Sequence, residues 1–249
     1  MFTARFTRSR VEKRAMQLSP VDRSLGLRER NKLEKRRRIY RAARQLFEKQ
    51  GYDSTTMRQI ARAADVGEGT VFLYARDKRE LLFRIFKDDL AAVFDQAFAQ
   101  VPENEAFLEQ IIAFTTPILR FLQPHGALAR IMVREQFNLT GPAEEEFVAL
   151  RDNINAKFNH LLEAARREGQ IRSDQDTTTL IGAIWANFRF YADDWLGLRK
   201  PVLSDGVSRV RTGMTLLFEG IASEAASRSS RLRGGESREP VRKQKSRTA

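Results

Sequence analysis

Residues 65–81 read DVGEGTVFLYARDKREL, and this stretch decides how the rest of the chain is interpreted. Gly67 and Gly69 precede an apolar and aromatic run, and a charged cluster then opens a second apolar pattern. Glycines at this spacing are compatible with a flexible loop, with part of a phosphate-binding loop, or with the start of a helix packed tightly against a neighbour. The flanking residues decide between these interpretations.

The residues before this stretch predict two helices. Apolar residues at 3.6-residue spacing predict the first from about residue 30 to residue 50, and Gly51 ends it. Hydroxyl residues at 54–56 supply a cap for a short second helix at about 56–63.

A tight turn at 65–67 then leads into a third short helix at about 68–74. The small side chains of Ala61 and Ala64 let the second and third helices cross closely, and Gly67 allows the turn. Two short helices joined in this way form a helix-turn-helix, whose second helix enters the major groove of DNA.

The rest of the chain also has helical periodicity. The pattern Asp77-x-x-Glu80 is a capping box that predicts the start of a long fourth helix, ended by Pro102. Further amphipathic stretches, separated by proline and glycine, occupy about 105–122, 125–138, 144–168, 175–198 and 204–225. No alternating period-2 pattern persists, so we predict an all-α fold.

The net formal charge of +12 is unevenly distributed. Residues 1–79 carry 21 Lys and Arg against 9 Asp and Glu, and residues 80–226 carry 15 against 21. Residues 227–249 carry 8 against 2. A basic front on an acidic body favours a polyanionic partner at the N-terminal end, and a solvated basic tail is the simpler alternative.

Several function classes are disfavoured by composition. Cysteine is absent, and the two histidines are far apart in sequence, so we predict no catalytic residue, no metal site and no cofactor. The Gly67-x-Gly69 pair lacks the third glycine and the preceding strand of a dinucleotide fingerprint. No apolar run is long enough to span a membrane, and the N-terminus lacks the apolar stretch of a secretory signal. We therefore predict a cytoplasmic protein that is not an enzyme.

The segment 37–82 resembles the TetR family of bacterial transcriptional repressors. The matching positions are Ala42, Ala43, Leu46, Phe47, Gly51, Tyr52, Thr55, Thr56, Ile60, Ala61, Ala64, Val66, Gly69, Thr70, Val71, Tyr74, Lys78 and Leu81. The resemblance implies an N-terminal three-helix DNA-binding domain of the helix-turn-helix type, followed by a C-terminal helical domain for ligand binding and dimerisation.

The chain departs from the family pattern at several positions of this segment. The family often has Ser, Lys, Tyr, His and Phe where this chain has Gly67, Glu68, Phe72, Leu73 and Ala75. Phe72 lacks the hydroxyl of a tyrosine, and Glu68 cannot bind a phosphate. A carboxylate at 68 can accept a hydrogen bond from cytosine N4 or interact with the helix dipole. The DNA sequence bound by a relative therefore cannot be transferred to this chain.

The resemblance also implies which residues contact DNA. We expect Thr56, Tyr74 and Lys78 to contact phosphates. The residues expected to approach the groove are Glu68, Gly69, Thr70 and Phe72. Simpler interpretations remain open: a core position for the Tyr74 ring, a packing role for Phe72, and a solvated surface charge for Lys78.

Composition and the lack of apolar periodicity predict a disordered basic arm at 1–30 and a disordered basic tail at 227–249. The resemblance divides the rest into a DNA-binding domain at 31–94 and an effector-binding and dimerisation domain at 95–226. The candidate ligand-binding residues are Phe107, Ile111, Phe114, Ile118, Phe121, His125, Trp185, Phe188, Arg189 and Tyr191. Core packing is an alternative for each aromatic residue, and a helix-end position is an alternative for His125. A buried Arg189 would need an anionic partner, either Asp193 or the ligand.

The expected function is a ligand-responsive, dimeric transcriptional regulator. It would bind a near-palindromic DNA operator as a homodimer, through a seam at 175–198 and 204–225, and a small lipophilic effector would release it. The alternative is a DNA-binding protein of the same fold that is controlled by a partner protein or has no small-molecule effector.

Overall fold

The structure, a computed structural model, describes residues 26–171 and 176–219. Within these ranges it contains nine α-helices and no strand, which confirms the predicted all-α fold. The helices are α1 (Leu27–Gln50), α2 (Met57–Ala63), α3 (Glu68–Phe72), α4 (Lys78–Ala99), α5 (Phe107–Leu122), α6 (Gly126–Glu135), α7 (Pro142–Arg167), α8 (Thr177–Leu196) and α9 (Leu203–Glu219). None of these helices is long and apolar enough to cross a membrane.

The caps expected from the sequence set the boundaries of the first helices. Gly51 ends α1 with a φ of 89°, a conformation that glycine adopts without strain. The Thr56 hydroxyl accepts from the Gln59 N–H, and the Gln59 side chain accepts from the Thr56 N–H, forming a reciprocal capping box at α2.

The N-terminal boundary of α1 differs from the prediction. The helix begins at Leu27, so the last residues of the predicted basic arm are helical. The rest of that arm, the basic tail at 227–249 and the end of the last predicted helix lie outside the described residues.

The predicted capping box at the start of α4 is only half formed. The Asp77 carboxylate accepts from the Glu80 N–H at 2.8 Å, as expected. The Glu80 carboxylate does not return to the Asp77 N–H. It accepts instead from the backbone N–H and the guanidinium of Arg76, and from Arg84. Two neighbouring arginines therefore hold a carboxylate that the sequence pattern assigned to the cap.

Helices α1 to α3 and the first half of α4 form an N-terminal unit, which we call the head. Its centre is fully buried and includes Ile39, Ala43, Ile60, Val71 and Leu81. Helix α4 continues without interruption into the remaining helices, which we call the body. The predicted domain boundary at 94/95 falls inside α4 and stays a prediction.

The body is centred on α5, which packs against α4 and α9, while α8 packs against α6, α7 and α9. An aromatic cluster fills the space between α4, α5, α7 and α8, with ring centroids 4.5 to 6.2 Å apart. Its members are Phe94, Phe98, Phe114, Phe158 and Trp185. This cluster forms the aromatic core of the body.

Candidate functional site

The exposed surface of the head is centred on α3. Its buried side is formed by Val71, followed by Ala75 one turn later. Glu68, Gly69 and Phe72 are exposed on the opposite side, and no atom lies within 4 Å of a Cβ built on Gly69. Open space at Gly69 is what close approach by another molecule's backbone or base edge requires. The structure therefore brings three of the residues expected at the groove onto one solvent-facing surface.

Two threonines flank this surface. Thr56 is exposed at the start of α2, where its hydroxyl is used by the capping box. Thr70 is half-buried in the middle of α3. Thr56 thus lies at the start of the first helix of the helix-turn-helix, and Thr70 lies within the second. Their contacts with DNA stay predictions.

Tyr74 and Lys78 have internal partners that the sequence did not suggest. The Tyr74 hydroxyl donates to the Lys32 carbonyl at 3.1 Å, which ties the end of α3 to α1. The Lys78 ammonium donates to the carbonyls of Tyr52 and Asp53 at 2.9 and 3.1 Å and lies 4.7 Å from the Tyr52 ring centroid. The Tyr74 hydrogen bond therefore fixes the end of α3 against α1, and the Lys78 hydrogen bonds fix the start of α4 against the loop between α1 and α2. Contacts of either side chain with phosphates stay a prediction.

Burial of Tyr52 between these elements raises the pKa of its phenol to about 12, and the nearby Glu135 and Asp77 add to the effect. The phenol thus stays neutral at any physiological pH. A neutral ring under the Lys78 ammonium keeps the loop between α1 and α2 closed onto the start of α4.

The head is strongly basic. Residues 26–79 carry 15 Lys and Arg against 7 Asp and Glu. A cleft of about 420 Å³ beside the end of α3 is lined by Phe72 and Leu73 and by an excess of cations: Lys32, Arg36, Arg76 and Arg84 against Glu29 and Glu80. Positive charge therefore borders the exposed face of α3, as a polyanion-binding surface requires.

The body contains a second candidate site, a cavity of about 500 Å³ bordered by α4 to α8. This volume is within the range of small-molecule binding sites. Its wall is mainly apolar, from side chains that include Leu82, Phe83, Leu90, Phe94, Met132, Phe147, Leu150 and Ile154. Three arginines, Arg79, Arg151 and Arg189, and one carboxylate, Glu135, also border it, and Glu135 pairs with Arg79. The cavity thus combines a long apolar wall with cationic groups.

Four of the ten predicted ligand-binding residues line this cavity: Ile118, Trp185, Phe188 and Arg189. Trp185 also donates from its indole N–H to Asn155, a second cavity residue, at 3.2 Å. A role in binding a ligand stays a prediction for all four.

The other six lie elsewhere: five are on faces of α5 and α8 that point into the core or toward other helices, and His125 lies in the short 3₁₀ helix after α5. Ile111 and Phe114 are fully buried, and Phe107 packs its ring on Phe218 of α9. Tyr191 faces α9 at Gly213. The remaining two, Phe121 and His125, pack against Phe86 of α4.

Arg189 is not buried, so the condition under which Asp193 or the ligand was expected as its partner is not met. Asp193 accepts hydrogen bonds from both Arg130 and Arg134 of α6, at 3.1 and 2.8 Å, so its carboxylate joins α8 to α6. Arg189 is exposed at the border of the cavity rather than buried in a core. The requirement for a buried counter-ion therefore does not apply.

The sequence interpretation missed the cavity residues of α4 and α7. Phe147, Leu150 and Ile154 recur at helical spacing along α7, so their shared face was readable, but nothing in the pattern distinguishes a cavity wall from a packed core. Among the described residues, no group of three or more acidic or histidine side chains could hold a metal ion.

Comparisons with known proteins agree with this geometry. Residues 39–85 match the profile "Bacterial regulatory proteins, tetR family", and residues 104–188 match "Tetracyclin repressor-like, C-terminal domain". The HTH-type transcriptional repressor KstR2 of Rhodococcus jostii (strain RHA1) is 30% identical over 189 residues, which cover 72% of this chain and 86% of that repressor.

Solved structures show the same fold. FadR of Thermus thermophilus, a TetR family transcriptional repressor in complex with lauroyl-CoA, has a TM-score of 0.59 at 22% identity, covering 76% of this chain and 96% of that one. FadR of Bacillus subtilis in complex with stearoyl-CoA has a TM-score of 0.55 at 17% identity, covering 74% and 98%. This chain therefore belongs to the TetR family, and it is a DNA-binding regulator of transcription rather than an enzyme.

Proposed function

We propose that this chain is a ligand-responsive repressor that binds a near-palindromic operator as a homodimer and leaves it when a lipophilic effector fills the body cavity. Because its target would be chromosomal DNA, the protein would act in the cytoplasm. The observation that carries the ligand-responsive part is the cavity itself, an apolar space of about 500 Å³ bordered by three arginines.

The exposed face of α3 and the basic cleft beside it support operator binding through the predicted contacts. Thr56, Tyr74 and Lys78 would neutralise or hydrogen-bond phosphates, and the face of α3 would enter the major groove. A single five-residue helix reads too few base pairs to find one site in a genome. Two copies spaced by about one turn of DNA, roughly 34 Å, would read a near-palindrome.

The surface of α8 and α9 supports dimerisation. Phe190 is 66% exposed, and Leu216 and Leu217 are 49% and 37% exposed. Large apolar side chains exposed together on neighbouring helices favour burial against a second copy. A seam of two helices from each chain would then form a four-helix bundle.

The chemistry of the cavity favours an effector with an apolar chain and an anionic group. Apolar side chains would surround the chain, while Arg151 and Arg189, exposed at the border, would meet the anion. Two structural neighbours were solved with acyl thioesters of coenzyme A. We therefore propose an acyl-CoA as the effector class.

Binding of an effector in the cavity can change the position of the head through contacts at the start of α4. Arg79, a cavity residue, donates to Glu135 at 2.6 Å and to the Asn138 carbonyl at 3.0 Å. Arg76 donates to the Thr140 carbonyl, so the segment between α6 and α7 is tied to the turn that follows α3. An effector that displaces this segment would favour a dimer whose heads are wrongly spaced for DNA.

The test is a fluorescence titration of the full chain with acyl-CoAs of increasing length, with free CoA and the free fatty acids as controls. Trp185 lines the cavity, whereas Trp195 is fully buried and donates to the Val202 carbonyl. We expect saturable quenching that Trp185→Phe removes and Trp195→Phe retains, with release of operator DNA in parallel.

A matched pair of variants tests the cavity independently. Gly182 lines it with open space at its Cβ position, so Gly182→Leu should fill the cavity while Gly182→Ala should leave it open. We expect the leucine variant to bind DNA but no longer respond to effector. If no acyl-CoA quenches fluorescence or releases DNA, the effector class is wrong, and control by a partner protein becomes the better account.

A further inference from the structure

The exposed face of α3 has an unusual composition. Glu68 and Phe72 are four residues apart, as are Gly69 and Leu73, so all four lie on one side of the helical path. Leu73 caps the C-terminal end of α3 and is 82% exposed, and Phe72 is 47% exposed. The C-terminal half of the face is therefore apolar.

This face offers no side-chain N–H donor. The commonest direct readout of a guanine uses an Arg or Lys donor pair, and that of an adenine uses Asn or Gln. Neither is available from Glu68, Gly69, Phe72 or Leu73. The apolar feature of the major groove is the 5-methyl group of thymine, which an apolar side chain contacts directly.

The surroundings favour DNA as the occupant of this apolar face rather than a protein. Phe72 and Leu73 share a cleft with four cations, Lys32, Arg36, Arg76 and Arg84, and two carboxylates, Glu29 and Glu80, so cations are in excess there. The apolar pair thus lies inside a basic surface, and charge complementarity points to a polyanion. The pair is also continuous with the helix that the proposed function places in the major groove.

We propose that Leu73, with Phe72 beside it, reads thymine 5-methyl groups in the operator, and that Leu73 is a residue that determines operator specificity. The inference rests on the proposed binding of operator DNA. The resemblance to the family does not indicate this contact, because family members often have Tyr and His where this chain has Phe72 and Leu73. Each operator half-site then contains at least one thymine whose methyl group contacts Leu73 or Phe72.

Leu73 is well suited to a clean test, since most of its side chain is in solvent and its truncation should cost little stability. Phe72 buries about half of its side chain, so its removal mixes packing with recognition. Leu73→Ala is therefore the informative variant. Leu198→Ala, which removes another exposed leucine in the link between α8 and α9, is the matched control.

The experiment compares operator duplexes that contain thymine or deoxyuridine at single positions, because deoxyuridine lacks only the 5-methyl group. The operator is first obtained by selecting genomic fragments bound by the full chain. Burying one methyl group is worth about 0.8 kcal/mol, so we expect about a fourfold loss of affinity per critical position for the wild type and for Leu198→Ala. At the positions that Leu73 contacts, Leu73→Ala should bind thymine and deoxyuridine duplexes equally, while any position read by Phe72 should keep its sensitivity.

The possible results are distinct. Equal binding of all thymine and deoxyuridine duplexes by the wild type would overturn the inference while leaving the proposed function intact. A Leu73→Ala variant that remains as sensitive as the wild type would overturn the assignment to Leu73. If the wild type selects no duplex at all, the proposed function fails. Unchanged melting temperatures of both variants verify that the comparison reports recognition.

Discussion

At the scale of single residues, the most consequential interaction is the one that joins the turn after α3 to the start of α4. Glu80 is only 6% exposed and accepts hydrogen bonds from the Arg76 N–H and guanidinium and from Arg84. Burial alone would raise the pKa of this carboxyl. The hydrogen bonds outweigh burial and hold the pKa below its ordinary value.

We predict that Glu80→Gln lowers the free energy of unfolding by about 2 kcal/mol at pH 7, because it removes the charged acceptor, itself buried, of the hydrogen bonds from Arg76 and Arg84. Since the folded-state pKa is lowered, this stabilisation is present above the unfolded-state pKa and is lost as the pH falls through the folded-state pKa. Urea unfolding at pH 7 measures the effect, with Glu34→Gln, an exposed position on α1, as the control. Equal stability of the two variants would contradict the assignment.

His125 makes a separate pH-dependent contribution. Burial lowers the pKa of its imidazole to about 4, and Arg44 adds to the effect while Asp89 opposes it. The ring packs edge-on against Phe86 and Phe121, with centroids 5.0 and 5.3 Å apart. The unfolded chain takes up a proton near pH 6.5, and the folded chain does not until much lower pH. Stability should therefore be full above pH 6.5 and fall as the pH drops toward 4.

We predict that His125→Phe flattens the decline in stability between pH 7 and pH 5 while keeping the aromatic packing. Denaturant unfolding across that interval measures it. His160→Phe, at an exposed position, should keep the wild-type decline. A decline in His125→Phe as steep as in the wild type would show that another group is responsible.

At the scale of helices, the sequence predicted the order, type and approximate bounds of the elements, because glycines, prolines and caps mark them. Gly51 and Thr56 end and begin helices as expected. It was less predictable which face of each helix lines the cavity and which face packs in the core. Helix α5 is apolar on more than one side, so its pattern could not show that Ile118 faces the cavity while Phe114 faces the core.

The hydrogen-bond partners of Lys78 and Glu80 were also not predicted from the sequence. Nothing local to Lys78 indicates that its ammonium meets the carbonyls of Tyr52 and Asp53, since that contact depends on how α1, α2 and α4 pack. Glu80 has the spacing of a capping box and nevertheless binds arginines. Tertiary packing decided the Lys78 contacts, whereas Glu80 binds Arg76 and Arg84 four residues away on either side, so competition between local interactions decided that case.

Two glycines of the α8–α9 pair should respond oppositely to alanine. A Cβ on Gly213 of α9 would overlap the Tyr191 ring of α8, whereas a Cβ on Gly182 of α8 meets open space. We predict that Gly213→Ala lowers the free energy of unfolding by about 1–3 kcal/mol through overpacking. Gly182→Ala should raise it by about 0.5–1 kcal/mol through helix propensity. Thermal unfolding of both variants measures the difference, and a stable Gly213→Ala would refute the close α8–α9 contact.

At the scale of the whole molecule, charge separates the two units. The head's excess of cations around α3 supports binding that releases counterions from DNA. We predict that operator affinity falls by about a thousandfold between 50 and 200 mM salt if about six phosphates are contacted. A gel-shift or anisotropy titration at several salt concentrations gives the slope. Affinity that does not change with salt would contradict a role for the basic head.

The central claim is that two copies of the chain present two α3 helices to one near-palindromic duplex. Sedimentation velocity of the full chain, alone and with a duplex selected from genomic DNA, tests this most directly. The account predicts a dimer in the absence of DNA and a complex of two chains on each duplex. A strictly monomeric chain, or one that forms no complex with any duplex at modest ionic strength, would contradict it.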